Sequence, residues 1–432
     1  MRTVSDLRAL ADQRLFSGDH LGALHAYTTL VQLQPIHLGG RLRIADALLA
    51  LGEVQRAAFV YTAFARHAAH GGYPLLALVA LKVLSALEPQ LEALLAGIGE
   101  LYSVESQRVG RGVRLAPADP DQPLPEGFAL TDPPPPLETL APLAEQLGRN
   151  IEAIAAYPEH LPPIPLFSEL PADSFAMVLH ALKLVRTAPG QPIVKEGDPG
   201  NSFYMLARGS VRITKQSADG PPVQLATLHD GSIFGEMALV SASPRTATVE
   251  AVTDCDLLEF EREALTALSR DAAPVARALE KFTRERLLHN LLSTAALFKP
   301  LDRKQRLDLA RRFTAHDLAP GVDIIREGTP GTGVFVLLSG EADVSKVDGE
   351  EKVLLATLKA GDVFGEMSLL NDAPTSATVT AAAPSTVLFL AREYFQKLME
   401  AVPAIRTYIE GLSDERLMDT RILLDASDAE DL

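Results

Sequence analysis

The chain has 432 residues, of which 47% are hydrophobic, 22% charged and 6% aromatic. At about 150 residues per domain this suggests roughly three domains, and the apolar content excludes a wholly disordered chain. The formal net charge of −16 excludes a whole-surface nucleic-acid or anionic-membrane binder, which needs a basic footprint.

Cys255 is the single cysteine. No internal disulfide and no cysteine-based zinc site can form. No apolar run reaches the ~18 residues of a membrane span: Tyr73 to Leu87 is shorter and contains Lys82. Met1 to Asp12 lacks the apolar core of a signal peptide. The expected location is the cytoplasm. Residues 1–115 hold 11 Lys and Arg against 9 Asp and Glu, so the acidity belongs to the remainder.

The first repeat has a period of 34 residues. Leu10, Ala11, Leu15, Gly18, Ala23 and Tyr27 match Ile44, Ala45, Leu49, Gly52, Ala57 and Tyr61. Small residues let antiparallel helices approach, Gly18 supplies the turn, Tyr27 fills the groove and Pro35 ends the unit. A partial third copy, with Gly72, Ala77, Leu78, Leu84, Leu87 and Pro89, lies 54 residues after the first. One helix is therefore shortened or skipped. The pattern resembles tetratricopeptide repeats over roughly residues 5–90, without their early tryptophan. The resemblance implies a helical array, residues 1–110, that binds a protein partner.

Residues 111–163 form a Pro-rich linker with a helix. The segment 116–136 carries too much proline for a helix or central strand. It is expected to be an extended, semi-rigid spacer. Helical periodicity returns over 137–157, with Thr131 or Asp132 and the prolines as start signals. Arg111, Arg114, Leu115 and Ala116 loosely resemble the pseudosubstrate of cyclic-AMP-dependent kinase inhibitors; basic residues in solvent explain them as well.

A second repeat relates 164–295 to 296–432. Leu166-Phe167, Glu196-Gly197, Pro199-Gly200 and Gly209 recur 131 residues later as Leu297-Phe298, Glu327-Gly328, Pro330-Gly331 and Gly340. Gly231, Phe234, Gly235 and Glu236 recur after 130 residues as Gly361, Phe364, Gly365 and Glu366. Each copy opens with a helical segment (174–185; 303–313). Many short strands with Gly and Pro turns follow, the signature of a barrel or jelly roll. Gly209 suits a tight hairpin. Helical segments close the copies at 273–292 and 392–409.

The chemistry lies in residues 234–251. Gly231 and Gly235 let backbone approach a ligand. Gly235 to Val240 reads as a helical turn whose first N–H groups, at Glu236, Met237 and Ala238, favour an anion. Arg245, after a Ser-Pro turn, can aim a guanidinium at the same place, as a phosphate receptor needs. Glu236 would repel that anion unless it accepts hydrogen bonds from hydroxyls beside it, as on a ribose. Phosphate plus ribose hydroxyl means a nucleotide.

The stretch is similar to the phosphate-binding cassette of the cyclic-nucleotide-binding domain family, which includes regulatory subunits of cyclic-AMP-dependent kinase. The resemblance implies a β-roll with flanking helices. It implies that Glu236 holds the ribose 2′-hydroxyl and Arg245 the cyclic phosphate, with backbone at Gly235, Ala238 and Ala247 completing the cradle. Thr246 stands where cyclic-AMP and cyclic-GMP binders both carry threonine, so the base stays open. The second copy keeps Gly365 and Glu366 but has Thr375 for the arginine, with Ser368 and Ser376 in a degenerate site. Loss of a charge-assisted hydrogen bond costs about tenfold to a hundredfold in affinity, and Asp372 adds a negative charge.

Enzyme signals are weak. Gly328 to Gly333 lacks the Lys-Ser/Thr of a P-loop, no HExxH or GxSxG occurs, and His67 and His70 lack a third metal ligand. The residues after Ile409 are too acidic for a DNA reader. The sequence thus implies a helical array followed by two jelly-roll nucleotide-binding domains. The expected function is a non-catalytic receptor for cyclic AMP or cyclic GMP, without cofactor or metal, that relays binding to a protein partner. A regulatory subunit of a cyclic-nucleotide-dependent kinase and a ligand-free scaffold are the alternatives.

Overall fold

The structure is a computed structural model, and it describes residues 2–87, 91–150, 157–217, 220–236, 244–294, 296–348 and 351–430. The chain divides into two compact units, Met1–Thr283 and Arg284–Leu432.

The first unit opens with antiparallel helices: α1 (Val4–Phe16), α2 (His20–Leu33), α3 (Leu38–Ala50), α4 (Val54–His70), α5 (Pro74–Leu87) and α6 (Glu92–Tyr102). Their ends are written in the sequence. The Asp19 side chain accepts a hydrogen bond from Gly22 N–H at 2.9 Å and caps α2. His37 Nδ1 does the same for α3 through Gly40 N–H at 2.8 Å. The 34-residue period is a packing period: Ala11, Ala23 and Tyr27 are buried, as are Ala45, Ala57 and Tyr61. Tyr27 donates to Asp12 and Tyr61 to Asp46, an equivalent bond in each repeat. α4 leads directly into α5, which matches α2 in the sequence register, so the third unit has no separate first helix.

The Pro-rich segment is extended, but it lies against the array. Val4 N–H donates to Gln122 O at 3.0 Å and Leu124 N–H to Arg2 O at 2.9 Å. Leu124, Phe128 and Leu130 pack on the helical core. The helix that follows, α7 (Leu137–Arg149), starts after Pro136 rather than at Thr131 or Asp132. It packs on α2, α3 and α4. Arg41, 2% exposed, donates to Gly148 O at 3.2 Å and Asn150 O at 3.3 Å and so ties down its end.

The first roll follows α8 (Ala172–Ala181). Its strands are β1 (Lys183–Thr187), β2 (Pro192–Val194), β3 (Ser202–Arg208), β4 (Ser210–Lys215), β5 (Val223–His229), β6 (Ile233–Phe234), β7 (Thr248–Ala251) and β8 (Cys255–Glu261). They form two antiparallel sheets, ordered β1-β8-β3-β6 and β2-β7-β4-β5. Gly209 does not make the expected hairpin. It has φ +105°, yet β3 and β4 belong to different sheets, so the chain turns a corner there. A Cβ at Gly209 would stand 2.4 Å from Asp254 O, and only glycine allows that approach. Helices α9 (Arg262–Asp271) and α10 (Ala273–Thr294) close the roll.

The array and the first roll share one apolar core, from Val4 to Phe282. They also share a buried ionic cluster. Arg43 of α3 reaches Asp46 at 2.6 Å, Asp254 at 2.8 Å and Asp256 at 3.4 Å. Arg186 of β1 reaches Asp46 at 2.8 Å and Asp256 at 3.0 Å, and Arg208 of β3 reaches Asp256 at 2.7 Å and also pairs with Asp254. Asp256 has no exposed surface.

The second unit repeats the roll after α11 (Arg303–Ala310). Its strands are β9 (Thr314–Leu318), β10 (Asp323–Ile325), β11 (Gly333–Ser339), β12 (Glu341–Asp348), β13 (Glu351–Lys359), β14 (Val363–Phe364), β15 (Thr378–Ala381) and β16 (Ser385–Ala391). The orders β9-β16-β11-β14 and β10-β15-β12-β13 reproduce the first roll strand for strand. A short helix α12 (Glu366–Leu370) sits between β14 and β15, and α13 (Arg392–Ala401) and α14 (Pro403–Glu430) follow.

Candidate functional site

In the first roll, β6 ends at Gly235, whose φ of +79° turns the backbone away from the strand. Arg245 precedes β7 and is fixed by two backbone bonds to the β2–β3 loop: Gly197 N–H donates to Arg245 O at 2.9 Å and Arg245 N–H to Asp198 O at 2.8 Å. Its guanidinium donates to Gly235 O at 3.2 Å and to Ser202 Oγ at 3.1 Å. Arg245 thus reaches the backbone at Gly235, next to Glu236 in the chain. Glu236 is 6% exposed. Thr246 is exposed and Ala247 half-buried. Met237 and Ala238 lie outside the described residues.

A polar relay behind the arginine went unrecognised in the sequence. Ser202 Oγ donates to Tyr204 Oη at 3.2 Å, and Tyr204 Oη donates to Glu259 Oε1 at 2.8 Å. Ser202 and Tyr204 are two apart on β3, on one face, and Glu259 faces Tyr204 across the ladder. The alternation was legible; the pairing with β8 was not.

The second roll lacks the whole relay. Gly333 stands at the place of Ser202, Phe335 at that of Tyr204 and Phe389 at that of Glu259. Phe335 packs on Phe364 and Phe389, with ring centroids 5.4 and 5.0 Å apart. Thr375, in place of the arginine, is turned into the loop before β11. Its hydroxyl donates to Arg326 O at 2.5 Å and Thr329 O at 3.1 Å. Ser368 Oγ donates to Gly365 O at 3.0 Å. Gly365, Glu366, Ser368, Thr375 and Ser376 together line one cavity of about 210 Å³. Glu366 is 1% exposed and accepts from Arg416 Nη1 of α14 at 2.7 Å. Burial pushes its carboxyl above the usual range, and Arg416 opposes that shift.

The remaining sequence candidates have local roles. His67 Nδ1 meets Tyr157 Oη at 2.7 Å, and His70 Nδ1 lies 3.4 Å from Arg108 Nη1. Cys255 is buried, and burial pushes its thiol up to about 11. No helix among the described residues is long and apolar enough to cross a membrane.

Both rolls match the cyclic nucleotide-binding domain, at residues 184–271 and 315–402. The chain is 35% identical over 237 residues to a cAMP-dependent protein kinase regulatory subunit of Yarrowia lipolytica, covering 55% of this chain and 59% of that one. It is 31% identical over 280 residues to the same subunit of Neurospora crassa, covering 62% of this chain and 68% of that one. A crystal structure of the regulatory domain of Toxoplasma gondii PKA with cAMP is 27% identical, with a TM-score of 0.29, covering 58% of this chain and 92% of that one. The chain thus spans less than two thirds of the Yarrowia relative's length. It belongs to the cyclic nucleotide-binding domain family, carries that domain in tandem, and is a homologue of cAMP-dependent protein kinase regulatory subunits.

Proposed function

We propose that the protein is a non-catalytic receptor for a cyclic nucleotide, cyclic AMP or cyclic GMP, held by the first roll. The observation that carries this reading is Arg245, presented at Gly235 beside the buried Glu236 and backed by Ser202, Tyr204 and Glu259. A guanidinium held by neutral oxygens keeps its charge for an incoming phosphate, and the nearby carboxylate suits a ribose hydroxyl.

The site adjoins elements that can respond to it. Ser202 is followed by Phe203, which packs on Phe282 of α10 at 5.4 Å between centroids. Residues 1–283 form one compact unit, with the array joined to the roll by a shared core and the ionic cluster. A ligand that favours one arrangement of Arg245 and α10 biases the array's surface by that differential affinity. Protein-partner recognition through the tetratricopeptide-like helices is part of this proposal.

The kinase-regulatory reading is supported equally by the relatives' names. The segment that would serve as pseudosubstrate is held against the array: Leu115 N–H donates to Gly71 O at 2.9 Å and Arg114 lies over the Tyr73 ring. Ligand-reversible inhibition of a co-purified kinase would establish that role.

Titration calorimetry with cyclic AMP and cyclic GMP tests the receptor. Arg245→Ala is expected to weaken binding about tenfold to a hundredfold. Affinity unchanged by that substitution would refute the assignment.

A further inference from the structure

The helix that opens the second roll carries a charge its counterpart lacks. Residues 299–312 hold six Lys and Arg against two Asp, whereas the equivalent residues 168–181 hold two acids and no Lys or Arg. Asp302 is engaged as the N-cap of α11, accepting from Gln305 N–H at 2.8 Å. Lys304, Arg311 and Arg312 are exposed. The Arg312 guanidinium lies over the Tyr394 ring of α13 at 4.6 Å, and Lys397 Nζ lies 6.0 Å from the centre of the same ring. Tyr394 is 40% exposed. No ion pair joins Lys304, Arg311, Arg312 or Lys397 to a carboxylate among the described residues. The chain has 56 Asp and Glu against 40 Lys and Arg. In that setting two cations sharing one exposed ring, with Arg311 and Lys304 on the adjoining helix, make a local positive field.

The first roll shows what this helix can do. There α6 packs on α8, and a Cβ at Gly99 of α6 would stand 3.3 Å from Ala172 O. Phe175, fully buried, supplies an apolar side chain to that contact. In the second roll Arg306 takes the place of Phe175, and Arg312, Tyr394 and Lys397 take those of Ala181, Ala264 and Ala267. A surface that seats a helix through apolar contact in one copy is thus cationic in the other.

We propose that α11 and α13 form a docking surface for an acidic helical segment of a protein partner. Carboxylates one turn apart on such a segment lie on one face and can meet Arg312 and Lys397 together, with Tyr394 giving apolar contact between them. Charge complementarity selects this occupant. Nucleic acid fits less well, because four exposed cations neutralise few phosphates and the acidic remainder of the chain repels a long polyanion. The surface lies in the second unit and does not depend on nucleotide binding at Arg245.

The test uses the full chain and a fluorescein-labelled peptide of repeated Glu-Ala-Ala-Leu units, whose glutamates recur every helical turn. Fluorescence anisotropy at low salt should show saturable binding that weakens as salt is added. Arg312→Glu combined with Lys397→Glu should weaken it at least tenfold, and Tyr394→Ala about twofold to fivefold. The same peptide with lysine for glutamate should not bind. Circular dichroism melting identifies a variant that fails to fold; Arg312→Ala with Lys397→Ala, the first roll's residues, then serves in its place. No saturable binding to the unmodified chain would overturn the proposal, as would affinity unchanged in either folded double variant. Tighter binding of a single-stranded DNA oligonucleotide or of phosphatidylserine vesicles than of the peptide, at equal salt, would also overturn it.

Discussion

Arg245 owes its aim to residues that are not in the cassette. Ser202 holds one end of the guanidinium, and Tyr204 and Glu259 hold Ser202. The second roll changes all four positions at once, to Thr375, Gly333, Phe335 and Phe389. A neutral hydrogen bond contributes about 0.5–1.5 kcal/mol. Ser202→Gly, the second roll's residue, should therefore weaken cyclic-nucleotide binding about twofold to tenfold while leaving the melting temperature within a few degrees. Competition binding would check it. The cassette residues were legible because glycine, glutamate and Pro-Arg-Thr-Ala fall together. The relay was not, because Tyr204 and Glu259 meet only through strand register, 55 residues apart.

Two histidines set a pH dependence at the same scale. Burial lowers His37 to about 4, helped by Arg8, and lowers His67 to about 4, helped by Arg41 and His70. His37 Nδ1 also accepts the capping bond of α3, which a proton would break. Both folded-state values lie below the ordinary 6.5. The stabilisation is therefore complete above pH 6.5 and is lost as the pH falls toward 4, because the unfolded chain takes up protons that the folded chain refuses. Unfolding free energy measured by urea between pH 7 and 4 should fall through that window. His37→Asn, which can still cap the helix, should reduce the slope.

Among elements, α7 and the strands around Asp256 make the array part of the first roll's unit. Gly148 of α7 packs against α4 so closely that a Cβ would sit 2.7 Å from Val60 Cγ1. Gly148→Leu should cost about 1–3 kcal/mol by overpacking, visible as a lower urea midpoint. Asp256 faces three arginines, Arg43, Arg186 and Arg208. Removing one partner from a buried ion pair costs about 3–5 kcal/mol, so Asp256→Ala should lower stability by that order; an effect under 1 kcal/mol would show that the cluster relaxes into water. The helices and rolls were legible because their residues repeat at fixed spacing. This junction was not, because Arg43 and Asp254 lie 211 residues apart and no local pattern joins them. The docking of the Pro-rich segment was not legible for a related reason: proline density excludes helix and central strand but does not say whether the chain is free or docked.

At the scale of the whole molecule, the same strand order appears twice with different chemistry. In the first roll Arg245 reaches Gly235 and Ser202; in the second the Thr375 and Ser368 hydroxyls donate to backbone carbonyls and Glu366 pairs with Arg416. The acidic balance of −16 sharpens this contrast. An anionic ligand approaching such a chain needs a concentrated positive site, which the proposed receptor role assigns to Arg245. The most direct measurement is the stoichiometry of cyclic-nucleotide binding to the full chain by calorimetry. One equivalent whose affinity falls about tenfold to a hundredfold with Arg245→Ala is the predicted result. No binding, or one equivalent bound as tightly after Arg245→Ala, would contradict the account.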